Sequence, residues 1–281
     1  MLSLGAAACA ALSTPDPAAK VKAARAVARD WRCGRLDWRF DAAPPDRPPR
    51  GEHPLLLPPG RMPRRGRGGT LASRIALLHA LAHIEYVAID LALDMVARFG
   101  AGFPHAFADD WMKVAADEAM HFAILDRRLR ALGSHYGALP AHDGLWDAAA
   151  ATAHDPAARL AVVPMVLEAR GLDATPPTIA RFEAAGDAPS ARLLRRILAD
   201  EVAHVATGVR WFRCICEIRS ESAPTAWKRL VESYFSGVLR PPFNDSARAA
   251  AGLTCEFYAA VAQGYAGAPE KFPSSREGQF R

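Results

Sequence analysis

The sequence Asp200-Glu201-Val202-Ala203-His204 decides the fold, together with its near-copy Asp117-Glu118-Ala119-Met120-His121. In each stretch a glutamate and a histidine lie three residues apart, so on a helix both side chains point the same way, one turn apart. Two single glutamates extend the pattern, because 33 residues separate Glu85 from Glu118 and 33 residues separate Glu168 from Glu201. The repeated spacing predicts four helices that direct polar groups toward one another.

One Glu from each of two helices and Glu-x-x-His from each of two others is the ligand set of carboxylate-bridged dimetal four-helix bundles. The predicted metal ligands are Glu85, Glu118, His121, Glu168, Glu201 and His204. Two divalent cations would balance four buried carboxylates while the imidazoles bind in their neutral form. Such oxygen-rich sites favour iron or manganese over zinc, so we expect two Fe ions or a mixed Fe/Mn pair.

The order of the helices suggests how the ligands divide between the two metals. We expect Glu85, Glu118 and His121 to hold one ion, and the remaining three ligands to hold the other, with Glu118 and Glu201 as bridges. A single Glu-x-x-His also occurs by chance on the solvated face of many helices. Two copies within apolar heptad patterns, each preceded by a glutamate at the same separation, argue against chance.

The composition indicates an all-α protein in the cytoplasm. The chain has 281 residues, 51% of them hydrophobic, and its five cysteines are odd in number and scattered, as expected for reduced thiols. No apolar run reaches about 18 residues without a charge, so we expect no membrane span. The net charge of +5 could attract an anionic substrate or nucleic acid.

Three regions divide the chain. Residues 1–69 should form N-terminal helices, within 3–33, and an extended strap; 70–219 a four-helix bundle; and 220–281 C-terminal helices and a tail packed on the bundle. The Pro/Arg-rich strap, residues 43–69, cannot form a regular helix. It is either a basic recognition arm or a segment lying across the bundle, and its three consecutive leucines favour the second interpretation.

The bundle helices are predicted from apolar periodicity at about 70–99, 104–133 and 190–219, with a third helix that begins after Pro156 and carries Glu168. A long crossover, residues 134–157, precedes that third helix. Pro164 lies one turn before Glu168 and should distort the turn that presents it. Two further helices are expected near 223–237 and 245–265, followed by a polar tail over the last fifteen residues.

Other polar residues near the ligands have two interpretations. Asp117 and Asp200 either orient the metal-bound histidines in a crossed arrangement, Asp117 to His204 and Asp200 to His121, or are solvated charges. A second group, His79, His83 and Asp90, either forms a second ion or proton-relay site or packs against a neighbouring segment, the N-terminal helices or the strap.

With these residues in view, residues 12–255 resemble the ferritin-like domain-of-unknown-function family 455. The resemblance rests on seven motifs, which are His79-x-x-x-His83-Ile84-Glu85 with Ala88-Ile89, Asp117-Glu118-x-x-His121-Phe122, Tyr136-Gly137, His142-Asp143-Gly144-Leu145-Trp146, Glu168-Ala169-Arg170-Gly171-Leu172-Asp173-x-Thr175-Pro176, Asp200-Glu201-x-x-His204-Val205 and Pro241-Pro242-Phe243-Asn244. It implies a ferritin-like bundle and a diiron site, distantly related to a tRNA hydroxylase and other diiron oxygenases. It also implies roles beyond packing for Arg170 and Asp173, and we expect Arg170 to pair with Asp173 or with a carboxylate across the bundle.

The expected function is that of a nonheme diiron oxidoreductase that activates O₂ or peroxide, as a monomer or homodimer with an external electron donor. Its substrate would be a small molecule or a modified RNA. The alternatives are a ferritin-type protein that oxidises iron or scavenges peroxide, and a metal-stabilised RNA-binding module. A closed cavity would favour hydroxylation of a small molecule, and a wide basic groove a tRNA-sized substrate.

Overall fold

The fold is that of an all-α protein in a computed structural model, which describes residues 2–63, 66 and 68–263. The arginines of the strap at 64, 65 and 67, and the predicted polar tail, lie outside the described residues. The helices are α1 (Leu4–Leu12), α2 (Pro17–Arg32), α3 (Leu71–Asp94), α4 (His105–Ala131), α5 (Gly144–Ala151), α6 (Pro156–Val162), α7 (Ala169–Ala184), α8 (Ala188–Ile218), α9 (Ala223–Tyr234), α10 (Asp245–Ala250) and α11 (Cys255–Tyr258).

Local sequence explains where several of these helices begin. The side chain of Asp16 accepts a hydrogen bond from the backbone N–H of Ala19 and caps α2. Thr70 and Ser73 form a reciprocal capping box at the start of α3. Asp187 caps α8 in the same way as Asp16 caps α2. These caps satisfy backbone donors that the first helical turn leaves without a partner.

Two helices contain π-helical segments, and one of them presents a predicted ligand. The chain continues from α3 into a π-helical segment at Met95–Phe99, and from α6 into another at Val163–Glu168. The second segment contains Pro164 and confirms the predicted distortion. A side chain at Gly208 of α8 would place its Cβ 2.5 Å from Cβ of Pro164, so this close helix contact requires glycine.

The long helical segments pack in pairs around an apolar core. Helix α3 packs on α4, α7 packs on α8, and α4 also contacts α8, which joins the two pairs. The N-terminal helices α1 and α2 cover α3 and α4, while α9 and α10 contact α8. The core contains fully buried aromatic residues such as Trp111, Trp146 and Trp227. Burial of these large side chains is the main stabilising contribution to the fold.

The part of the strap that the structure describes lies across the protein. The backbone N–H of Leu57 donates to the carbonyl of Ala141, and the N–H of Ala141 donates to the carbonyl of Leu55, at 2.8 and 3.0 Å. The carboxylate of Asp143, also in the crossover, contacts Arg47 of the strap. The strap is therefore held by the crossover, a contact that the sequence did not predict.

One local prediction was wrong, and one local feature was not predicted. The predicted helix over 245–265 is two short helices, because Gly252 after α10 adopts a φ of +75° and ends the first one. Residues Leu2–Ser3 and Leu36–Asp37 form a two-stranded parallel pair that apolar periodicity did not predict. Strands of two residues are too short to show a period.

Helix α3 and its continuation are long and apolar enough, by length and composition alone, to cross a membrane. The candidate segment is Leu71–Gly102, but 67% of its most apolar window is buried inside the protein. This burial is typical of a core helix. All five cysteines carry free thiols.

Candidate metal centre

The predicted ligands come from four helical segments. Helix α3 supplies Glu85, α4 supplies Glu118 and His121, and α8 supplies Glu201 and His204. These five are buried, with exposed fractions between 0% and 8%. The sixth ligand, Glu168, ends the π-helical segment and is partly exposed as a residue. Its Oε2 atom is nevertheless shielded from solvent.

Four of these side chains form one compact cluster. Glu118, His121, Glu201 and His204 each offer a ligand atom, and these atoms all lie within 4.8 Å of one another. Oxygens of Glu118 lie 3.4 Å from Nδ1 of His121 and 2.9 Å from Nδ1 of His204. Oε1 of Glu201 lies 3.5 and 3.3 Å from the same two nitrogens. Both glutamates thus reach both imidazoles.

The two single glutamates flank this cluster differently. Oε2 of Glu85 lies 3.3 Å from Nδ1 of His121, so Glu85 joins the cluster directly. The carboxylate of Glu168 interacts electrostatically with Glu118, Glu201 and His204, and these charges change its pKa. It makes no hydrogen bond through Oε2 to any described residue. The assignment of three ligands to each metal therefore stays a prediction.

The cluster contains buried polar atoms without hydrogen-bond partners among the described residues. These atoms are Glu118 Oε1, Glu168 Oε2, Glu201 Oε1 and His204 Nδ1. Two of them, Glu118 Oε1 and His204 Nδ1, are only 2.9 Å apart but are not aligned as a hydrogen bond. Buried polar groups are normally satisfied, and leaving several unsatisfied at one point is costly. Oxygen and imidazole nitrogen donors that converge in this way fit divalent iron or manganese.

The pKa values indicate that protons occupy the cluster in the metal-free protein. Burial, reinforced by the charge of Glu118, raises the pKa of Glu85 well above its usual range. Burial, with Glu118 and Glu201, raises the pKa of Glu168 to about 8. Burial would lower the pKa of His121, but a hydrogen bond to Glu118 and the nearby carboxylates of Glu201 and Glu85 outweigh burial and raise it strongly. Glu85 and Glu168 are therefore mostly protonated at neutral pH, and His121 is an imidazolium.

The pKa values of His204 and of its nearest glutamate, Glu118, are shifted in opposite directions. Burial opposes charge on His204, but the charge of Glu118 and a hydrogen bond to Asp117 raise the pKa of this imidazole. Burial opposes charge on Glu118 as well, but His204 and His121 lower the pKa of its carboxyl group. Cations that bind here would displace protons from the histidines and the protonated glutamates.

The outer carboxylates contact the histidines in the predicted crossed arrangement. Oδ2 of Asp200 lies 3.1 Å from Nε2 of His121, and Oδ2 of Asp117 lies 3.4 Å from Nε2 of His204. In each histidine Nε2–H donates to aspartate while Nδ1 faces the glutamates. This arrangement fixes the ring orientation that a metal-bound histidine requires.

Sequence reasoning missed the cations that hold these aspartates. Nζ of Lys113 lies 2.9 Å from Asp117, and Nε of Arg196 lies 2.8 Å from Asp200. Each cation precedes its aspartate by four residues, the spacing at which helical side chains meet. The signal was therefore present in both copies of the motif.

The prediction for Arg170 was wrong. Arg170 is exposed and forms no ion pair with any residue that the structure describes. It lies two residues after Glu168 and so points away from the core. Asp173 instead pairs with Arg248 at 2.6 Å and accepts a hydrogen bond from the backbone N–H of Asn244. The cation comes from α10, 75 residues later in the chain.

The suggested second ion site is not assembled, because its two histidines are engaged by the crossover. Nε2 of His79 accepts a hydrogen bond from the N–H of Gly137 at 2.9 Å. Nδ1 of His83 lies 2.9 Å from the hydroxyl of Tyr136, and its Nε2 lies 3.2 Å from the carbonyl of His142. Burial lowers the pKa of His79 to about 4 and that of His83 to about 3. Both residues therefore pack against a neighbouring segment, but this segment is the crossover and not the N-terminal helices or the strap.

Asp90, the third member of the suggested group, forms a separate buried ion cluster. Its carboxylate contacts Nζ of Lys20 in α2 and the guanidinium of Arg50 in the strap. The side chains of Lys20 and Asp90 are both fully buried. Two cations thus compensate the buried carboxylate and anchor α2 and the strap to α3.

Comparisons with known proteins agree with the motifs. The family described as "Protein of unknown function (DUF455)" matches residues 13–259. An "Uncharacterized protein" of Haemophilus influenzae (strain ATCC 51907 / DSM 11121 / KW20 / Rd) is 41% identical over 209 residues, covering 72% of each chain. No solved structure matches the chain significantly. By its match over most of its length, the chain belongs to the DUF455 family.

Proposed function

We propose that this protein is a nonheme diiron oxidoreductase on a ferritin-like four-helix bundle, which activates O₂ or peroxide to hydroxylate an organic substrate. One observation carries the proposal: a buried Glu₂His₂ cluster whose ligand atoms lie within 4.8 Å of one another. Glu85 and Glu168 extend it to the donor set of carboxylate-bridged metal pairs. A mixed Fe/Mn pair would use the same donors.

The residues of the cluster have complementary tasks in this proposal. Glu118 and Glu201 reach both imidazoles and would bridge the two ions. Nδ1 of His121 and of His204 would each bind an ion. When bound, the metal pair would supply redox chemistry with O₂ or peroxide that protein side chains lack. Burial would keep bulk water from competing for the ligand positions.

The carboxyl group of Glu168 is suited to proton transfer. Its Oε2 has no hydrogen-bond partner among the described residues, and it lies at the end of a π-helical segment rather than in a regular turn. With a pKa of about 8, its carboxyl group can release or take up a proton near neutral pH. We infer that it moves a proton at Oε2 and binds an ion when it is deprotonated.

Anaerobic loading with Fe(II) tests the proposal. The wild-type protein should retain about two Fe(II) per chain and consume O₂ on exposure to air. Glu201→Ala and His121→Ala should each lose at least one ion. The matched control Glu217→Ala, at an exposed position of α8, should keep both.

The outcome also separates the alternatives. Iron taken up far beyond two per chain would support a ferritin-type storage role instead. Retention of neither iron nor manganese by the wild-type protein would overturn the proposal. Oxidation should also require an external electron donor to become catalytic, so a single turnover is expected without one.

A further inference from the structure

A large open groove lies between α2 and α4, beside the candidate metal centre. Its volume is about 1370 Å³, larger than the roughly 300–1,000 Å³ of pockets for drug-sized ligands. Asp117, which contacts His204, and Arg196, which holds Asp200, both line it. The groove therefore reaches one of the two aspartates that contact the histidines of the candidate centre, Asp117, and the cation that holds the other one.

One wall of the groove is a stripe of cations on α2. Lys22, Arg25, Arg29 and Arg32 recur at spacings of three and four residues, so they share one face of the helix, and all four are exposed. The stripe spans about 15 Å at 1.5 Å per residue. Arg29 pairs with Asp30 at 3.1 Å, but the other three form no ion pair with any described residue. Guanidinium groups without carboxylate partners match phosphate geometry.

One end of the groove is aromatic, and the wall opposite the cationic stripe carries carboxylates. Trp31, Trp38 and His105 gather at one end, where the ring centroids of Trp38 and His105 are 4.2 Å apart. The α4 wall carries the carboxylates of Asp109 and Asp117, and Asp117 is paired there with Lys113, which also lines the groove. Oδ1 of Asp109 accepts a hydrogen bond from Trp31, which leaves Oδ2 available.

We propose that this groove binds a dinucleotide, with its pyrophosphate on the α2 cations and one ring at the tryptophans. Each part of such a ligand has a counterpart in the groove. Cations bind phosphate, aromatic side chains stack on a planar ring, and a carboxylate accepts hydrogen bonds from ribose hydroxyl groups. A nucleic-acid strand fits less well, because the cations without an ion-pair partner among the described residues lie on the α2 wall, whereas the α4 wall carries Asp109 and the paired Lys113 and Asp117. Binding at this groove does not depend on the metal site.

Titration of the full-length, metal-free protein with FAD, NADH and NADPH tests the proposal. Calorimetry should show saturable binding of at least one of the three. Because Trp31 and Trp38 line the groove, binding should also quench part of the tryptophan fluorescence. The triple variant Lys22→Ala/Arg25→Ala/Arg32→Ala should weaken binding at least about tenfold, since charge-assisted hydrogen bonds to phosphate are lost.

A matched triple variant controls for the loss of net charge. Arg127, Arg181 and Arg192 are exposed, lie outside the groove and form no ion pair with any described residue. Their replacement by alanine should leave dinucleotide binding unchanged. Circular dichroism should show that both triple variants fold, because every replaced side chain is exposed.

Three outcomes would overturn the proposal. The first is an absence of saturable binding by all three dinucleotides up to about 1 mM, the upper range of physiological ligand affinities. The second is equal weakening by the two triple variants. The third is tighter binding of an oligothymidylate than of every dinucleotide, with the steep salt dependence of a polyanion. None of these results would bear on metal binding, so the two proposals fail separately.

Discussion

Replacing Glu168 by glutamine should stabilise the metal-free protein while weakening its affinity for metal. Burial and the charges of Glu118 and Glu201 raise the pKa of this carboxyl group from 4.5 to about 8. At pH 7 the group is ionised in the unfolded chain but mostly protonated in the folded protein. The unfolded state is therefore favoured by about 1.36 kcal/mol for each pH unit above 4.5, or about 3 kcal/mol at pH 7.

The sign of this effect follows from proton binding. Between pH 4.5 and 8 the folded state binds more protons at Glu168 than the unfolded state does, so stability falls as pH rises. Glutamine is neutral in both states and lacks this dependence. We therefore expect Glu168→Gln to be more stable than the metal-free wild type by about 3 kcal/mol at pH 7, but by only about 1 kcal/mol at pH 5.

Urea unfolding of chelator-treated protein at the two pH values measures both differences. Glu217→Gln, which alters an exposed glutamate on α8, is the control and should change stability by less than about 0.5 kcal/mol. Added Mn(II) should raise the melting temperature of the wild type more than that of Glu168→Gln. The reasoning would be refuted if Glu168→Gln were less stable than the wild type at pH 7, or if the difference were the same at both pH values.

Four further predictions concern the histidine contacts, the protons of the cluster and two buried groups. The double variant Asp117→Asn/Asp200→Asn should lower metal affinity by about 10- to 100-fold, measured by competition with a chelator. An unchanged affinity would show that the two aspartates do not orient the histidines. Metal binding at pH 7 should release about four protons, seen as a dependence of the calorimetric enthalpy on the buffer, and release of none would contradict the protonated cluster. The pKa of His83 is about 3 in the folded protein but about 6.5 in the unfolded chain, so the contribution of this group to stability falls as pH falls from 7 to 5. In urea unfolding, the free energy of unfolding of His83→Gln at pH 5, relative to its value at pH 7, should be about 2 kcal/mol higher than the same quantity for the wild type. An equal pH dependence of the two proteins would contradict this. Asp173→Ala should lower the free energy of unfolding by about 3–5 kcal/mol in the same assay, because it leaves the buried Arg248 without its carboxylate partner. A loss below about 1 kcal/mol would show that this ion pair contributes little to the stability of the fold.

The sequence predicted the parts of the site that depend on spacing along one helix. The Glu-x-x-His pairs follow from which side chains share a helical face, the distortion at Pro164 follows from the proline ring, and the crossed aspartates follow from the position before each motif glutamate. Lys113 and Arg196 follow from the same geometry, four residues before each aspartate, and could have been found. Local periodicity therefore contains most of the information about the candidate centre.

Ion pairs between distant segments outside the repeated motif could not be predicted in this way. The pairing of Asp173 with Arg248 joins residues 75 positions apart, and that of Asp90 with Lys20 joins residues 70 positions apart. No periodic pattern specifies which of many cations a buried carboxylate will meet. Arg170 was expected to pair with Asp173 or with a carboxylate across the bundle, but its helical face directs it to solvent.

The central claim is that the side chains of residues 85, 118, 121, 168, 201 and 204 share a pair of redox-active metals. Crystals of the natively purified protein, measured at the iron and manganese absorption edges, test it most directly. The account predicts two anomalous peaks, each bonded to Nδ1 of one histidine, with Glu118 and Glu201 between them. Anomalous maps without a peak at either edge, from protein whose iron and manganese had not been removed, would contradict it.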